Sequence, residues 1–299
     1  MRRDRYARRR VTRDAGRATQ RPLWRRAGAG VVAASSRLVT IAERVTRRHG
    51  DRLIPPAHLR RYYYRTFDPA AFQRAGAGAR TELMLRDLRP QHRLLDVGSG
   101  IGNLAVALLD DLQGGYDGLE IHAEAVHWCQ SAITSRAPSF RFHHADVANQ
   151  AYNPGGRERP STYRFPFADG SFDFVFLGSV FTHLFPDAVA NYVREVSRVL
   201  APGGTCVASY FLLNDESRAG ISAGRSFLSF TVADDSGLFL LHDPSVPEAA
   251  IALDEDFIRR THAQAALEIV DVRRGRWWTG GADDQDVITA RRNLARRST

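Results

Sequence analysis

The sequence is poor in the residues that build cross-linked or membrane-spanning structures. It has 2 cysteines and no lysine in 299 residues. Cys129 and Cys206 match no metal-binding or redox spacing, which excludes a disulfide scaffold and favours a reducing compartment. The apolar stretch at 29–45 is interrupted by charge from Arg37 onward. It therefore falls short of the roughly 20 apolar residues of a membrane span, and no span is expected.

The positive charge lies at the N-terminus. The formal net charge is +9, but residues 1–50 hold 15 arginines against three acidic residues, whereas the remainder holds 27 arginines against 30 acids. The pattern predicts a disordered basic leader with a short helix over 1–50. Two roles for the leader stay open: a solvated tail, or an arm for weak attachment to anionic lipid or nucleic acid. A twin-arginine export signal at Arg25–Arg26 lacks a clear cleavage site, so we expect a cytoplasmic protein.

After the leader, helical and strand patterns alternate. Helices are predicted at 81–88, 102–112, 123–136 and 186–200, with strands at 93–98, 116–121, 140–147, 171–179 and 204–211. Near the C-terminus, 254–275 predicts a helix followed by a strand, and 285–292 predicts another strand. The fold class expected is α/β: a doubly wound, mostly parallel seven-stranded sheet with helices on both faces and an antiparallel edge strand. Residues 51–80 would form a helical cap or lid, and 81–299 the main domain.

A glycine-rich turn, "LLDVGSGIG" at 94–102, joins the first predicted strand to a helix. Ligands of open parallel sheets lie beyond the carboxyl ends of the strands, and glycines let the backbone turn tightly and approach a ligand closely. A tight turn with a purely structural role is the alternative. The candidate binding residues here are Asp96, Gly98, Ser99, Gly100, Gly102 and Asn103. A dinucleotide-binding fingerprint would need glycine at 103, where asparagine stands.

The spacing D-x-G-x-G-x-G from Asp96 to Gly102 resembles motif I of the class I S-adenosylmethionine-dependent methyltransferases. Further stretches resemble this family in order along the chain: "GLEI" at 118–121, "HHADV" at 143–147, "FPFADGSFDFVFLGSVFTHL" at 165–184 and "REVSRVLAPGG" at 194–204. The resemblance covers about residues 90–210. It implies a Rossmann-like fold and S-adenosyl-L-methionine as cofactor.

The resemblance also implies roles for single residues. Glu120 would accept hydrogen bonds from the ribose hydroxyls, with Ile121 against the adenine. Asp146 would bind the adenine amino group, and the backbone N–H of Val147 a ring nitrogen; a helix N-cap is the alternative for Asp146. Leu177 and Gly178, at the end of the fourth strand, complete the predicted cofactor site.

The acceptor side is less well marked. His183 is a candidate general base because it follows the fourth strand, where the acceptor must arrive; capping or supporting the next helix is the alternative. Segments 53–68, 208–217 and 277–292 resemble the flanks of bacterial methyltransferases that act on small hydroxylated or sugar-like acceptors. Candidate wall residues are Tyr62, Tyr63, Tyr64, Tyr210, Asn214 and Trp277, although aromatic side chains more often serve packing.

Three other functions compete with transfer to a hydroxyl of a small molecule. An NAD(P)-dependent oxidoreductase would share the sheet and Glu120. A nucleic-acid methyltransferase is disfavoured, because "LGSV" at 177–180 replaces the Asn/Asp-Pro-Pro-aromatic tetrad of amino-base methylases and neither cysteine follows a proline. A non-catalytic S-adenosylmethionine-binding partner protein stays open. No metal is expected, since the adjacent His143 and His144 point to opposite faces of a strand. The acceptor's identity and the oligomeric state are left open.

Overall fold

The computed structural model describes residues 53–233, 235–280 and 284–294. The predicted leader at 1–50 lies outside them. The described chain begins with two helices, α1 (Ala57–Tyr64) and α2 (Pro69–Met84). Helix α2 begins at a proline after Asp68, whose carboxylate accepts the Ala70 N–H at 2.9 Å. This N-cap satisfies one of the free amides of the first turn. Of the helix predicted at 81–88, only 81–84 is helical, and it forms the end of α2, which crosses the expected boundary at residue 80.

A seven-stranded sheet forms the centre of the fold, in the order β10-β11-β5-β4-β1-β2-β3. Its strands are β1 (Leu94–Val97), β2 (Tyr116–Glu120), β3 (Phe140–His144), β4 (Phe172–Leu177), β5 (Leu200–Tyr210), β10 (Leu267–Arg273) and β11 (Asp286–Arg292). β1 to β5 are parallel, and β11 is antiparallel to both β5 and β10. The predicted fold class is confirmed; the antiparallel strand is β11, which lies one position in from the edge strand β10.

The crossover helices are α3 (Asn103–Leu108), α4 (Ala123–Cys129), α5 (Pro186–Val199) and α7 (Glu255–Gln264). A π-helical turn, Gln130–Thr134, continues α4 and accounts for the longer helix expected at 123–136. Strand β5 begins four residues earlier than the apolar pattern predicts.

A second sheet, in the order β6-β9-β8-β7, is inserted after β5. It consists of β6 (Leu212–Leu213), β7 (Val232–Ala233), β8 (Phe239–Leu241) and β9 (Ile251–Asp254), with α6 (Asp215–Ser222) between β6 and β7. Strands of two to four residues are too short to show an alternating apolar pattern, which explains why the sequence did not predict this sheet.

Both faces of the central sheet are buried. On one face, residues such as Leu95 and Val175 pack against α5 and α7. On the other, Leu94 and Phe174 pack against α2, α3 and α4. A third cluster, around Trp277, joins the second sheet to the segment before β11. Within the described ranges, no helix has the length and apolarity needed to cross a membrane.

Candidate active site

The glycine turn follows β1, and its three glycines adopt left-handed backbone conformations. The φ values are +74° at Gly98, +54° at Gly100 and +76° at Gly102, a region costly for residues with a Cβ. A Cβ on Gly98 would lie 2.5 Å from Cγ2 of Val180, and one on Gly102 would lie 2.7 Å from Cδ1 of Ile133. Gly102 therefore serves the packing of α3 on α4, while Gly98 and Gly100 face an open cavity.

Glu120 ends β2 with its carboxylate buried beside this turn. Oε2 accepts the N–H of Gly100 at 2.7 Å, and Oε1 accepts the N–H of His122 at 2.8 Å. Burial raises the pKa of Glu120 above its usual value, and the backbone donors together with the Tyr63 hydroxyl oppose that rise. A carboxylate is thus fixed at the end of the second strand and ties that strand to the glycine turn.

A cavity of about 290 Å³, which we call the Glu120 cavity, opens over these groups. Its predicted lining residues are Tyr63, Tyr64, Gly98, Gly100, Asn103, Glu120, Ile121, Val147, Gly178 and His183. Residues not predicted also line it: Val97, Ile101, Leu119, Ala145, Ala148, Asn149, Tyr152, Ser179, Val180, Leu184 and Tyr192. The cavity occupies the carboxyl ends of the strands, where doubly wound sheets bind ligands.

A second cavity, of about 390 Å³, lies on the side of β5 and β11, and we call it the Gln285 cavity. Its lining residues are Ala75, Ala79, Asp96, Gly98, Asn103, Leu104, Phe176, Gly178, Ser179, Ser209, Arg273, Asp284, Gln285 and Val287. Gly98, Asn103, Gly178 and Ser179 line both cavities. The two cavities are therefore neighbours across a shared wall.

Asp96 belongs to the Gln285 cavity and not to the Glu120 cavity. The Tyr116 hydroxyl donates to its carboxylate, and burial raises the pKa of Asp96 to about 7. Ser99 and Leu177, also predicted to bind cofactor, are buried and line neither cavity. The Ser99 hydroxyl has no hydrogen-bond partner in the described part of the chain.

Asp146 lies outside both cavities. Its carboxylate is paired with Arg157 and accepts from Asn153 at 3.4 Å, and the Arg157 hydrogen bond lowers the pKa of Asp146. The backbone N–H of Val147 donates to Ala145 O at 2.8 Å, although the Val147 side chain lines the Glu120 cavity. Both groups are thus engaged within the chain, and their roles in binding adenine stay predictions.

Residues 95–208 match the family model described as a methyltransferase domain. The match begins in β1 and ends in β5, so it contains the glycine turn and Glu120. These residues form a methyltransferase domain.

Solved structures similar to this protein share its fold. One is described as an S-adenosylmethionine-dependent methyltransferase from Methanosarcina mazei: 22% identity, TM-score 0.50, covering 71% of this chain and 98% of that one. A protein from Pyrococcus horikoshii has 14% identity and a TM-score of 0.51, covering 74% and 91%. A putative O-methyltransferase from Nostoc punctiforme has 12% identity and a TM-score of 0.50, covering 78% and 59%. At these identities the likeness concerns the fold alone.

His183 ends a short 3₁₀ turn, Phe181–His183, and faces the Glu120 cavity. Its Nδ1 lies 2.9 Å from the carbonyl oxygen of Glu248, so Nδ1 carries the proton that this bond requires. Nε2 lies 3.5 Å from the Tyr152 hydroxyl. In the neutral ring Nε2 is then the basic nitrogen, and the role of His183 as a base stays a prediction.

The three consecutive tyrosines of α1 occupy different environments. Tyr63 stacks over the glycine turn, with its ring carbon Cε1 3.2 Å from where a Cβ on Gly100 would lie and its hydroxyl 3.3 Å from Nδ1 of His122. Tyr64 also lines the Glu120 cavity. Tyr62 is 44% exposed and lines neither cavity. Helix α1 thus covers part of the cavity, and its role as a lid stays a prediction.

The structure places the other three predicted wall residues away from both cavities. Tyr210 is fully buried and stacks on Phe181 with ring centroids 4.9 Å apart. Asn214 caps α6 in a reciprocal capping box with Ser217. Trp277 is fully buried, and its indole N–H donates to Asp286 at 2.8 Å. These side chains hold the fold together and contact neither cavity.

The residues missed from the sequence lie mainly in loops. Asn149 and Tyr152 follow β3, and Ser179 follows Gly178 with a φ of +58°. Aromatic and amide side chains after the third strand could have signalled the first two; nothing local distinguished Ser179. Across the described ranges, no group of three or more histidine, cysteine or acidic side chains is arranged to hold a metal ion.

Proposed function

We propose that the protein binds S-adenosyl-L-methionine in the Glu120 cavity and transfers its methyl group to a hydroxyl of a small, sugar-like acceptor. The observation that carries the proposal is the Glu120 carboxylate, buried at the cavity and fixed by two backbone N–H groups. A carboxylate held in this way can accept hydrogen bonds from both hydroxyls of a ribose without reorganising.

The remaining residues of the cavity suit the other parts of the cofactor. Ile121, Val147 and Leu184 offer apolar surface to an adenine ring. Gly98 and Gly100 also line the cavity, and a Cβ at either position would crowd Val180 or Tyr63 and be strained at positive φ. The volume of about 290 Å³ is near the lower end of ordinary ligand sites, which fits one small ligand and leaves the acceptor to a neighbouring space.

When bound, S-adenosylmethionine supplies an electrophilic methyl group on a positively charged sulfur. Attack by a hydroxyl forms an oxygen–carbon bond as the carbon–sulfur bond breaks, the electron pair stays on sulfur, and the hydroxyl proton passes to a base. The chain offers two groups for this proton, His183 in the Glu120 cavity and Asp96 in the Gln285 cavity. Comparison of kcat for His183→Gln and Asp96→Asn, with cofactor affinity as the control, assigns the base.

Equilibrium binding tests the proposal. We expect the wild type to bind S-adenosylmethionine and S-adenosylhomocysteine but not NAD, and Glu120→Ala to lose at least about 100-fold in affinity, as expected when a buried binding carboxylate is removed. Glu124→Ala is the matched control, since Glu124 is exposed and its carboxylate pairs with His58. NAD binding without S-adenosylhomocysteine binding would favour an oxidoreductase. Cofactor binding without turnover on any acceptor would favour a non-catalytic partner protein.

A further inference from the structure

The Gln285 cavity adjoins the Glu120 cavity along four residues that line both, Gly98, Asn103, Gly178 and Ser179. A Cβ on Gly178 would lie 2.8 Å from the Phe176 ring, and one on Gly98 would meet Val180 at 2.5 Å. Neither position accepts a side chain, because Phe176 and Val180 already fill the space beside these glycines. Since the two cavities share these lining residues, a ligand in one can come close to a ligand in the other.

A hydrogen-bonded ring of three polar residues lines the Gln285 cavity beside these glycines. The Ser179 N–H donates to Ser209 Oγ at 2.7 Å, Ser209 Oγ donates to Gln285 Oε1 at 2.7 Å, and Gln285 Nε2 donates to Ser179 Oγ at 3.0 Å. The three residues come from the turn after β4, the end of β5 and the start of β11. The ring holds Ser179 at its positive φ, a conformation that costs on the order of 1 kcal/mol or more in a residue with a side chain.

The cavity is polar, but most of its charge is neutralised. Arg273 lies 3.1 Å from Asp284 and 3.3 Å from Glu82, so this cation is already paired. The Asn103 carboxamide lies on the shared wall and makes no hydrogen bond to any described residue. Hydroxyl and amide groups both donate and accept, which matches the hydroxyls of a neutral ligand better than a carboxylate or an ammonium.

We propose that the Gln285 cavity is the acceptor site and takes a neutral, polyhydroxylated molecule of monosaccharide size, with its reacting hydroxyl at the border that the two cavities share at Gly98 and Gly178. The inference rests on the proposed function, because the methyl group of a donor in the Glu120 cavity must meet the hydroxyl at that border. About 390 Å³ is ample for a monosaccharide. The hydroxyl proton passes to Asp96, the carboxylate of this cavity with no cationic partner among the described residues, as the oxygen–carbon bond forms and the carbon–sulfur bond breaks.

The test uses the full chain, saturating S-adenosylmethionine and methyl glycosides of neutral hexoses and deoxyhexoses as probes, with the corresponding uronic acids and amino sugars beside them. Release of S-adenosylhomocysteine reports turnover. Ala75 lines the Gln285 cavity and not the Glu120 cavity, so Ala75→Phe should narrow only the Gln285 cavity. Ala77→Phe, at an exposed position of the same helix, is the control. We expect Ala75→Phe to raise KM for the glycoside at least about tenfold while the Kd for S-adenosylmethionine changes less than about twofold.

A polar substitution tests the hydrogen-bonded ring. Gln285→Leu removes the bonds to Ser179 and Ser209, and Gln285→Glu keeps the size and the acceptor for Ser209, so that a folded variant is available if the first is unstable. Both should raise the glycoside KM about tenfold with cofactor affinity unchanged, and Gln264→Leu, exposed on α7, should do neither. Unfolding midpoints of all variants identify any that lose structure.

The outcomes separate this inference from the proposed function. If the wild type binds no S-adenosylmethionine, both fail. If the wild type binds S-adenosylmethionine but methylates no neutral glycoside, and its S-adenosylhomocysteine complex binds none in calorimetry, the acceptor class is wrong. Preference for the uronic acids would also show that the acceptor class is wrong. If Ala75→Phe leaves the KM of the acceptor unchanged, or weakens cofactor binding equally, the placement of the acceptor is wrong and the cofactor assignment stands.

Discussion

Glu120 in one half of the sheet and Asp286 in the other are both buried carboxylates held by N–H donors. Asp286 accepts from the N–H groups of Leu212 and Gly275 at 2.9 Å and from the Trp277 indole at 2.8 Å. Burial raises the pKa of both acids, and their hydrogen bonds oppose the rise. They differ in one respect: Glu120 lines a cavity, whereas Asp286 lines neither. A buried, well-bonded carboxylate therefore indicates a binding site only where open space adjoins it.

The surroundings of the two acids explain the difference. Around Glu120 the chain turns within a few residues from strand to helix, and the glycines leave space at the strand ends. Around Asp286 the inserted second sheet and the segment before β11 fill that space with Phe211, Phe230 and Trp277. Glu120 thus adjoins an open cavity, whereas Asp286 is enclosed by a packed apolar cluster.

Truncation of Trp277 should give the largest loss of stability. Trp277→Ala removes a fully buried side chain and leaves one oxygen of Asp286 short of a donor, so we expect a loss of about 3–5 kcal/mol in the free energy of unfolding. Urea denaturation measures it, with the partly exposed neighbour Trp278→Ala as control. The Kd for S-adenosylmethionine of the folded variant should not change. A weaker Kd in a variant of unchanged stability would mean that Trp277 belongs to the binding site.

The same contrast explains what could be predicted from the sequence. The glycine turn and Glu120 are local signals, because backbone conformation and the end of a strand depend on a few neighbouring residues. Tyr210 and Asn214 contact Phe181 and Glu255, which are distant in the sequence, so no local pattern indicates that these side chains lie away from the cavities. An apolar pattern predicts that a side chain is buried, but not whether it faces a core or a cavity. Gln285 contacts Ser179 and Ser209 from two other segments of the chain, so no local pattern indicates that it lines a cavity.

Asp96 should make stability depend on pH in a way that no local motif predicts. Its pKa is raised to about 7 in the folded protein from 3.8, so its stabilising contribution is present at low pH and is lost as the pH rises towards 7. Roughly three pKa units correspond to at most about 4 kcal/mol. Asp96→Asn keeps an acceptor for Tyr116 and cannot ionise. Its stability relative to wild type should therefore rise between about pH 4 and 7 and level off above.

Denaturant unfolding at a series of pH values measures this effect. Asp110→Asn, on an exposed aspartate of the same half of the sheet, is the control and should show a constant difference from wild type. A flat difference for Asp96→Asn would mean that the carboxyl is ionised throughout and better solvated than its burial indicates.

Two glycines of one motif should respond differently to alanine. Both substitutions place a Cβ at positive φ, at a cost of about 1–2 kcal/mol. Gly102→Ala should add about 1–3 kcal/mol of overpacking against Ile133 and Cys129 and leave cofactor affinity intact once folded. Gly98→Ala should instead weaken S-adenosylmethionine binding at least about tenfold, because its Cβ displaces Val180 at the cavity wall. Calorimetric titration with unfolding curves separates the two, and equal losses of affinity would contradict the division of roles within the turn.

The smallest effect is expected at Tyr63, where α1 meets Glu120. The Tyr63 hydroxyl favours the charged form of Glu120, so Tyr63→Phe should raise the pKa of that carboxyl further. The Kd for S-adenosylmethionine should then weaken more at acidic than at alkaline pH, because protonation of Glu120 removes the charge that accepts hydrogen bonds from the ligand. Tyr62→Phe, on a partly exposed ring that lines neither cavity, is the control and should show no such dependence. A pH-independent loss in Tyr63→Phe would mean that the hydroxyl contacts the cofactor directly instead of acting through Glu120.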